Sequence, residues 1–593
     1  MQSKTSCFNG AVWRKTLSRC WPLWAGTALI LFFSMPFLIA RVDPHAVHGD
    51  MSVAQIVEEI PISATMSLPL FACLFGLVFA AATFDYLFSK RSTGMMASLP
   101  VRREGLFLSG FAAGLTMLLS AGLLSAVLAA LLALTKGVHA TGAIAVWLGV
   151  YAAEVVTFYG IGVFCAMLTG HILVLIPLYL LVNFGGVVLS GMLQYMARLL
   201  LIGVPADGSL AAFSWLEKLS PCEQLLTETG MQYNSELLRS VSRFTGWPVV
   251  LAYLAAGVVL SVIALILFRR RKMECAQEPV ISKGLGLALK YIVTFFCALG
   301  LPAFISLFFG DSFSDSTVGL LALTALGAAI GYLISEMILH KSVRVRKKSW
   351  LGVGVTALIA CLIVGAMQLD VFGYVHNVPD PAEIERAEVN AWYQLKAEVT
   401  DPDALKELTQ LHRDLIGEQT PGFYSSGDLR LTYHLKNGKT LTRAYSVFDD
   451  NSAECSAGRL RGLLRRADVT DFSLDPYHEV TAASFQYADI SWTQPAPGET
   501  ESYTGEYISR QLVDERAAMD LWENGILPDL RAGAFPHTGL DTPEAAFPSW
   551  PTVEFQLYWD DVGTQHLSYL LTPDAAHTLA WLAAHGYAIP GVN

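Results

Sequence analysis

Long apolar runs dominate the first 369 residues of this 593-residue chain and disappear after them. The runs are about 20 to 29 residues long, and about 20 apolar residues are enough for a helix to cross a bilayer. Because every backbone N–H and C=O group must be satisfied inside lipid, such runs form helices. The chain is also 53% hydrophobic, which is too apolar for a soluble protein of this size. The sequence therefore predicts a polytopic α-helical membrane protein followed by a soluble region.

Nine apolar runs are candidate spanning helices: 22–40, 64–86, 106–134, 142–168, 172–194, 247–268, 289–309, 317–339 and 351–369. The first run follows Arg14, Lys15 and Arg19, a pattern that a cleaved signal peptide also shows. No small-residue cleavage site follows the run. We therefore predict that 8–19 is an amphipathic helix on the cytoplasmic membrane surface that leads into the first span.

The charge of the chain changes where the apolar runs end. Residues 370–593 carry 34 acidic and 15 basic residues, a net charge of 15 − 34 = −19. The whole chain has 51 acidic and 40 basic residues, so the first 369 carry 51 − 34 = 17 acidic and 40 − 15 = 25 basic residues, a net of +8. A basic membrane part and an acidic soluble part indicate two domains.

Three connecting segments are rich in Lys and Arg: 90–103, 269–272 and 340–348. All three follow even-numbered spans, whereas the acidic segment 310–316 follows the seventh span. Basic loops stay in the cytoplasm, so we expect a cytoplasmic amino terminus and, after nine spans, an extracytoplasmic 370–593. Four basic residues in the predicted outer loop 195–246 run against this pattern.

The soluble region reads as an α+β domain. Asp401 followed by Pro402 predicts the start of a helix. Alternating residues on both sides of Asn437-Gly438 predict a β-hairpin. Thr572 and Pro573 predict the start of a last helix.

The sequence excludes several kinds of catalytic centre. It contains no P-loop, no H-E-x-x-H zinc motif and no G-x-S-x-G nucleophile motif. Its nine cysteines fit neither a zinc site nor a disulfide framework: Cys7, Cys20, Cys73, Cys165, Cys222, Cys275, Cys297, Cys361 and Cys455. We therefore expect a non-enzymatic chain with no catalytic residues, metal or cofactor of its own, and no nucleic-acid partner.

Polar residues inside or beside the predicted spans are costly in lipid and are candidates for function. They are Glu154, Glu336, Asp85 and Asn183. The functional interpretation of the carboxylates is a polar lining or a proton-linked site. The structural interpretation is an interhelical hydrogen bond or a side chain that reaches the interface. We expect Asn183 to hydrogen-bond between helices, with the neighbouring glycines allowing close packing.

The segment 84–107, "FDYLFSKRSTGMMASLPVRREGLF", joins two apolar runs. Residues 92–99 are predicted to form a short helix that ends at Pro100, because the residue before a proline is disfavoured in the α region. Its apolar face would consist of Met95, Met96 and Leu99, and the basic residues around it are Lys90, Arg91, Arg102 and Arg103. Such a face suits a protein partner or a surface of acidic lipid, and the residues alone favour neither.

The stretch "FDYLFSKRSTGMMASLPVRREGLFLSGFAAGL" at 84–115 resembles the second and third helices of type-2 ABC transporter permeases of Gram-positive bacteria. Three further features are similar to that family: the lead-in helix 8–19, "LSP" at 219–221 and "FRRRKMECA" at 268–276. The resemblance covers 1–275 as one six-helix unit. The chain departs from the pattern by adding three helices at 276–369 and the domain 370–593, which resembles an uncharacterised domain found in some such permeases.

The resemblance implies a role for the segment after the second span. In the family it is a coupling helix that docks into a cleft of a separate cytoplasmic ATPase subunit, which binds the ATP. Carried over by position, Ser92, Met95, Met96, Leu99 and Pro100 would form this docking element. The resemblance also implies a second permease chain, identical or related, and export of an amphipathic compound such as a drug, an antimicrobial peptide or a lipid.

Two other functions stay open at this point. The acidic region 370–593 would attract cationic ligands, so the chain could be an extracytoplasmic sensor coupled to an ATPase. A proton-coupled carrier centred on Glu154 is a lesser alternative, and inverted repeats, which would support it, are absent from the sequence.

Overall fold

The computed structural model describes residues 8–43, 52–98, 100–205, 213–227, 231–232, 243–271, 277–309, 316–344, 347–371, 373–391, 395–418, 429–447, 455–464, 469–471, 476, 478–494, 506–512, 515–532, 534–535, 551–559 and 563–587. The chain divides into two compact units. The helical unit comprises Met1–Gln194 and Ala211–Ile363, and the sheet unit comprises Tyr195–Leu210 and Val364–Asn593.

The amino-terminal part of the helical unit is built from α1 (Gly10–Ser34), α2 (Pro36–Arg41), α3 (Val53–Thr65), α4 (Leu68–Thr83), α5 (Lys90–Ala97), α6 (Arg103–Thr135), α7 (Thr141–Leu168) and α8 (Ile172–Leu200). Two short helices follow, α9 (Ser214–Glu217) and α10 (Pro221–Thr227), with the two-residue strands β1 (Met231–Gln232) and β2 (Arg243–Phe244). The remaining helices are α11 (Trp247–Arg270), α12 (Lys283–Phe309), α13 (Thr317–His340) and α14 (Lys347–Gln368).

Seven helices of the described residues are long and apolar enough to cross a membrane: α6, α7, α8, α11, α12, α13 and α14. An eighth crossing results if α3 and α4, which meet at a 48° bend, count as one span. A helical unit with seven candidate spans and a separate unit that contains the sheets are consistent with the predicted polytopic helical protein and its additional domain. The predicted second span, 64–86, coincides mainly with α4.

The predicted first span, 22–40, falls on α1 and α2, which are not among the seven helices. The predicted surface helix 8–19 is not separate, because α1 continues from Gly10 to Ser34 and breaks only at Met35. Together α1 and α2 run parallel to α6: the Asn9 N–H donates to Ser109 near the start of α6, and Lys136 at its end donates to the Val42 carbonyl. Helices α1 and α2 together thus extend along the length of α6. The count of nine membrane-spanning helices stays a prediction.

Helix α7 lies at the centre of the helical unit and packs against α3, α4, α6 and α11. Glycines allow the closest of these approaches. A Cβ atom on Gly257 of α11 would lie 2.5 Å from the Cα of Thr157, and one on Gly160 would lie 2.6 Å from the Gly257 carbonyl oxygen. Small residues at such crossings let helix backbones pack directly in lipid.

The first half of the sheet unit contains a five-stranded antiparallel sheet in the order β6-β5-β3-β4-β7. Its strands are β3 (Ile384–Ala391), β4 (Leu395–Val399), β5 (Leu429–Leu435), β6 (Thr440–Tyr445) and β7 (Val469–Asp471). Apolar residues of this sheet form one core with α15 (Pro402–Glu418) and α16 (Ser456–Leu464).

Two sequence predictions in this half are confirmed. Asp401 accepts the N–H groups of Asp403 and Ala404 at 2.9 Å and caps α15. Strands β5 and β6 pair through the turn at Asn437-Gly438, where Gly438 adopts a φ of +78° that suits glycine.

The second half contains a four-stranded antiparallel sheet in the order β11-β10-β8-β9, with its own core. The strands are β8 (Phe485–Gln494), β9 (Glu506–Gln511), β10 (Thr552–Trp559) and β11 (Gly563–Leu570), and the helices are α17 (Glu515–Leu521), α18 (Leu527–Arg531) and α19 (Ala576–Ala584). The predicted start of the last helix at Thr572 and Pro573 is wrong, because α19 begins at Ala576. The buried Asp529 of α18 accepts its first N–H groups, from His577 and Thr578.

The edge strand β6 of the first sheet receives two segments of the chain within the sheet unit. The Ala444 N–H donates to the Gly203 carbonyl at 3.2 Å. The Arg443 guanidinium stacks on the Tyr374 ring at 3.8 Å and donates to the Tyr374 carbonyl at 3.0 Å. Strand β6 is thus bonded both to the segment that follows α8 and to the segment that follows α14.

A buried imidazole lies beneath the same strand. His412 of α15 has no exposed surface, and its Nδ1 and Nε2 atoms lie 3.1 Å from the Tyr433 hydroxyl and 2.6 Å from the Tyr445 hydroxyl. Burial, together with the positive charges of Arg443 and Arg413, lowers the pKa of His412 from 6.5 to about 3. The folded protein therefore holds this imidazole neutral.

The first prediction concerns Gly203. A Cβ atom there would lie 2.8 Å from the Tyr445 hydroxyl, on a residue whose φ is +81°. We expect Gly203→Ala to destabilise the sheet unit by about 2–3 kcal/mol through strain and overpacking. Gly438→Ala is the matched control, because Gly438 has a similar φ but open space around it, and it should cost only about 1 kcal/mol. Urea unfolding of the full-length chain measures both, and equal effects would contradict the packing at Gly203.

The second prediction is a dependence of stability on pH. Between pH 6.5 and about 3 the unfolded chain binds a proton on His412 that the folded chain excludes. The stability of the sheet unit is therefore fully present above pH 6.5 and falls with decreasing pH, by up to about 1.4 kcal/mol per pH unit from this residue. The free energy of unfolding of the full-length chain, measured at pH 7.5 and 5, should fall less in His412→Gln. An unchanged slope in the variant would show that another group is responsible.

Candidate functional site

The three basic segments of the helical unit lie at one end of it. The Arg103 guanidinium donates to the carbonyl oxygens of Arg269 and Arg271, at 3.3 and 3.0 Å. Lys341 pairs at 2.9 Å with Glu278, which is six residues after the second basic segment in the sequence. The segments predicted to share one side of the membrane are therefore neighbours in space.

Arg271 joins three elements at this end. Its side chain is buried, and it donates to the Ala166 carbonyl in the last turn of α7 at 2.9 Å and to the Leu87 carbonyl at 3.4 Å. Leu87 belongs to the 3₁₀ turn Asp85–Phe88 that follows α4. Carbonyl groups at a helix end have no partner within the helix, so a cation bonded to them is favourable. Sequence analysis missed this residue among four consecutive basic ones.

Helix α5 is fixed to the same turn. The buried Thr93 hydroxyl is 2.6 Å from the Tyr86 carbonyl and 2.9 Å from the Ser89 carbonyl. Tyr86 and Leu87 are themselves buried in the core of the helical unit. The short helix is therefore anchored on packed structure.

The two methionines of α5 point in different directions. Met95 is 62% exposed, whereas Met96 is half-buried and packs against the core. Consecutive residues on a helix lie about 100° apart, so both cannot occupy one narrow face. The exposed apolar surface is centred on Met95.

The other predicted docking residues surround this surface. Lys90, Arg91, Arg102, Arg103 and Pro100 are exposed, Ser92 is half-buried, and Leu99 lies outside the described residues. Arg103 is also bonded to carbonyl groups, as described above. The structure thus brings together an exposed methionine and at least three exposed cationic side chains.

Asp85 forms an ion pair with Arg19 of α1, at 3.0 Å. Arg19 also donates to the Ala82 carbonyl at 2.7 Å. Both partners are about half exposed, and such pairs contribute little stability. The pair nevertheless links α1 to the turn that carries α5.

Glu336 of α13 belongs to a buried ion pair. Its carboxylate oxygens lie 2.7 Å from the Lys290 Nζ of α12 and 2.5 Å from the Ser349 hydroxyl of α14. The same ammonium group lies 3.7 Å from the centre of the Tyr332 ring. The cluster holds α12, α13 and α14 together, which favours the structural interpretation. Sequence analysis missed Lys290, because it is separated from Glu336 by 46 residues.

Asn183 and Glu154 are both buried but differ in their surroundings. The Asn183 amide donates to the Tyr179 carbonyl of its own helix, and the expected interhelical bond is not among the hydrogen bonds of the described residues. The expected close packing beside Asn183 is observed between α8 and α9, since a Cβ atom on Gly186 would collide with the Leu216 carbonyl of α9. Neither carboxylate oxygen of Glu154 has a hydrogen-bond partner in the described part of the chain.

The described residues contain no group of three or more His, Cys, Asp or Glu side chains that could hold a metal ion. Comparison of the chain with models of protein families, with curated proteins and with solved structures found no match. The geometry therefore carries the functional argument, and it contains a rigidly anchored, exposed, basic and apolar surface on α5.

The third prediction concerns the buried ion pair. Lys290→Met would remove the ammonium partner of the buried Glu336 carboxylate, leaving the Ser349 hydroxyl and the half-exposed His340 ring 3.4 Å away, and we expect this to destabilise the helical unit by about 3–5 kcal/mol. Changing both residues, Lys290→Met with Glu336→Met, should be less damaging than either single change. Thermal unfolding of the purified chain in detergent measures the three variants. Single effects that simply add in the double variant would contradict direct pairing.

Proposed function

We propose that this chain is the membrane-spanning subunit of an ATP-driven ABC exporter and that a separate cytoplasmic ATPase subunit docks on α5. The observation that carries the proposal is the anchored helix itself. The Met95 side chain is exposed, and cationic side chains surround it. Hydrogen bonds from the buried Thr93 hydroxyl hold the helix to the turn that follows α4. An exposed apolar residue with a charged rim is typical of a protein interface.

The anchoring suits a role in transmitting force. Helix α5 is bonded through Thr93 to the turn after α4, and Arg271 bonds that turn to the ends of α7 and α11. Displacement of α5 by an ATPase that closes on ATP would therefore move the ends of these spans. Packed helices that switch between two arrangements are the usual means of such a transition.

The proposed topology follows from the charge of the grouped segments. Basic loops remain in the cytoplasm, so the end that carries α5 and the amino terminus would be cytoplasmic and 370–593 would lie outside the cell membrane. The chain has no P-loop of its own, so ATP would be bound by the partner. A second permease chain, identical or related, would complete the pathway. Exposed apolar side chains on α11, α12 and α14 suit contact with membrane lipid.

The substrate class rests on the family resemblance alone. Export of an amphipathic drug, antimicrobial peptide or lipid is the form of the proposal that the resemblance favours. No residue of the chain is proposed to perform covalent chemistry. A catalytic role is therefore assigned only to the ATPase partner.

A sensor is the second candidate, and one observation favours it. Residues 370–593 carry a net charge of −19 and contain two sheets with separate cores. A surface of this charge attracts cationic ligands. Removal of 370–593 separates the two functions: an exporter without a sensor role retains efflux and its response to the compound, whereas a sensor loses the response.

The fourth prediction tests docking. Met95→Glu places a negative charge in the centre of the proposed interface, and we expect the amount of co-purifying P-loop ATPase to fall at least about tenfold, equivalent to about 1.4 kcal/mol. ATP-photolabelling and mass spectrometry identify the partner. The helical unit should remain folded, because the Met95 side chain is 62% exposed, in contrast to Met96, which packs against the core.

Val343→Glu is the control for the fourth prediction. Val343 is 81% exposed in another basic segment of the same chain, and the charge change is identical. The control should retain the ATPase. Equal loss in both variants would indicate general electrostatic attraction, and full retention by Met95→Glu would overturn the proposal.

A further inference from the structure

Glu154 is an unusual residue because it is buried at the middle of the central helix and the described residues offer its carboxylate no hydrogen-bond partner. It lies halfway along the 28-residue α7 and is 1% exposed. Neither of its carboxylate oxygens has a hydrogen-bond partner among the described residues. Glu336, the other buried carboxylate in a spanning helix, is fully paired, so the two residues form a natural comparison.

The elements packed against α7 offer Glu154 no cation nearby. Their titratable groups are Glu58 and Glu59 on α3, Cys73 on α4, Arg103 and Glu104 on α6, Tyr179 on α8, whose hydroxyl donates to the Phe158 carbonyl, and Tyr253, Arg269 and Arg270 on α11. The thiol of Cys222 on α10 is close enough to Glu154 for the two groups to interact electrostatically. The next residue along the chain is Glu223. The groups in this set that lie away from the helix ends are acidic or neutral.

Among the described residues, the basic side chains closest to α7 in the elements packed against it lie at its two ends. Arg271 bonds to the carbonyl of Ala166, which is 12 residues or about 18 Å from Glu154 along the helix. Lys136 and His139 precede the first residue of α7, Thr141, which is 13 residues or about 20 Å from Glu154 along the helix. Arg103 is bonded to the Arg271 carbonyl at the first of these ends. Charges so far away cannot replace a direct ion pair.

An ionised carboxylate in this position would be unstable. A buried charge without a counter-ion or hydrogen bond costs several kcal/mol even after relaxation. Binding of either a proton or a metal cation would neutralise the Glu154 carboxylate. A hard metal cation needs several oxygen ligands, and Glu154 belongs to no cluster of potential metal ligands in the described residues. A proton needs only the carboxylate.

We propose that Glu154 is a proton-binding site of the helical unit and that its carboxyl group holds a proton at neutral pH in this packing. A packing in which Glu154 reaches water or a cation releases that proton. The two packings then differ by one bound proton, so their equilibrium depends on pH. This inference is independent of docking on α5 and is tested on the chain alone.

Infrared spectroscopy of the full-length chain in lipid nanodiscs at pH 7 detects the proton directly. The C=O stretching band of a protonated carboxyl group is expected in the unmodified protein and in Glu336→Gln, and it should be lost in Glu154→Gln. Absence of the band from the unmodified protein, or its persistence in Glu154→Gln, would overturn the proposal.

Two further measurements keep the test decisive if Glu154→Gln folds poorly. Dicyclohexylcarbodiimide reacts with protonated carboxyl groups in apolar surroundings, so its adduct in the unmodified protein should map to Glu154 and not to Glu336. An adduct on Glu336 with Glu154 unmodified would contradict the assignment. The melting temperature should also fall less in Glu154→Gln, where a neutral amide replaces a neutral acid, than in Glu336→Gln, which leaves Lys290 unpaired. The reverse order would show that Glu154 is ionised.

Discussion

The buried guanidinium of Arg271 determines the geometry of the proposed site. The guanidinium donates to carbonyl groups at the end of α7 and in the turn after α4. Arg271 itself is the residue that follows the last residue of α11. The Arg271 cation therefore bonds the residue after α11 to the end of α7 and to the turn after α4. The same turn holds α5 through the Thr93 hydroxyl, so the two sets of bonds meet in one short segment.

Local patterns in the sequence predicted much of this architecture. Seven of the nine predicted spans coincide with helices long and apolar enough to cross a membrane, and an eighth does if α3 and α4 count as one span, because apolar length is a strong signal that depends on few distant contacts. The cap at Asp401 and the hairpin at Asn437-Gly438 were predictable for the same reason, since both depend on residues a few positions apart. The short helix after the second span was predicted at 92–99 and observed at Lys90–Ala97.

Pairings between distant segments were not predictable. Lys290 with Glu336, Arg19 with Asp85, and Arg271 with Leu87 each join residues far apart in the chain, and no local pattern reveals which charges will meet. The different orientations of Met95 and Met96 depend on which face of α5 meets the core, which the helix sequence alone leaves open. The cap of α19 was misplaced because its acceptor, Asp529, comes from another helix.

The sheet unit has a comparable junction at strand β6. Gly203 follows α8 and Tyr374 follows α14, and both are bonded to adjacent residues of that strand, above the buried His412. The segments that follow α8 and α14 are therefore both bonded to one strand of this sheet, within the sheet unit.

The central claim is that α5 contacts a cytoplasmic ATPase, and a photo-crosslinking amino acid at position 95 in intact cells tests it most directly. The account predicts an adduct with a P-loop protein from position 95, which is exposed, and little or none from position 96, which packs inward. Adducts formed only with lipid, or equally strong adducts from both positions, would contradict the account.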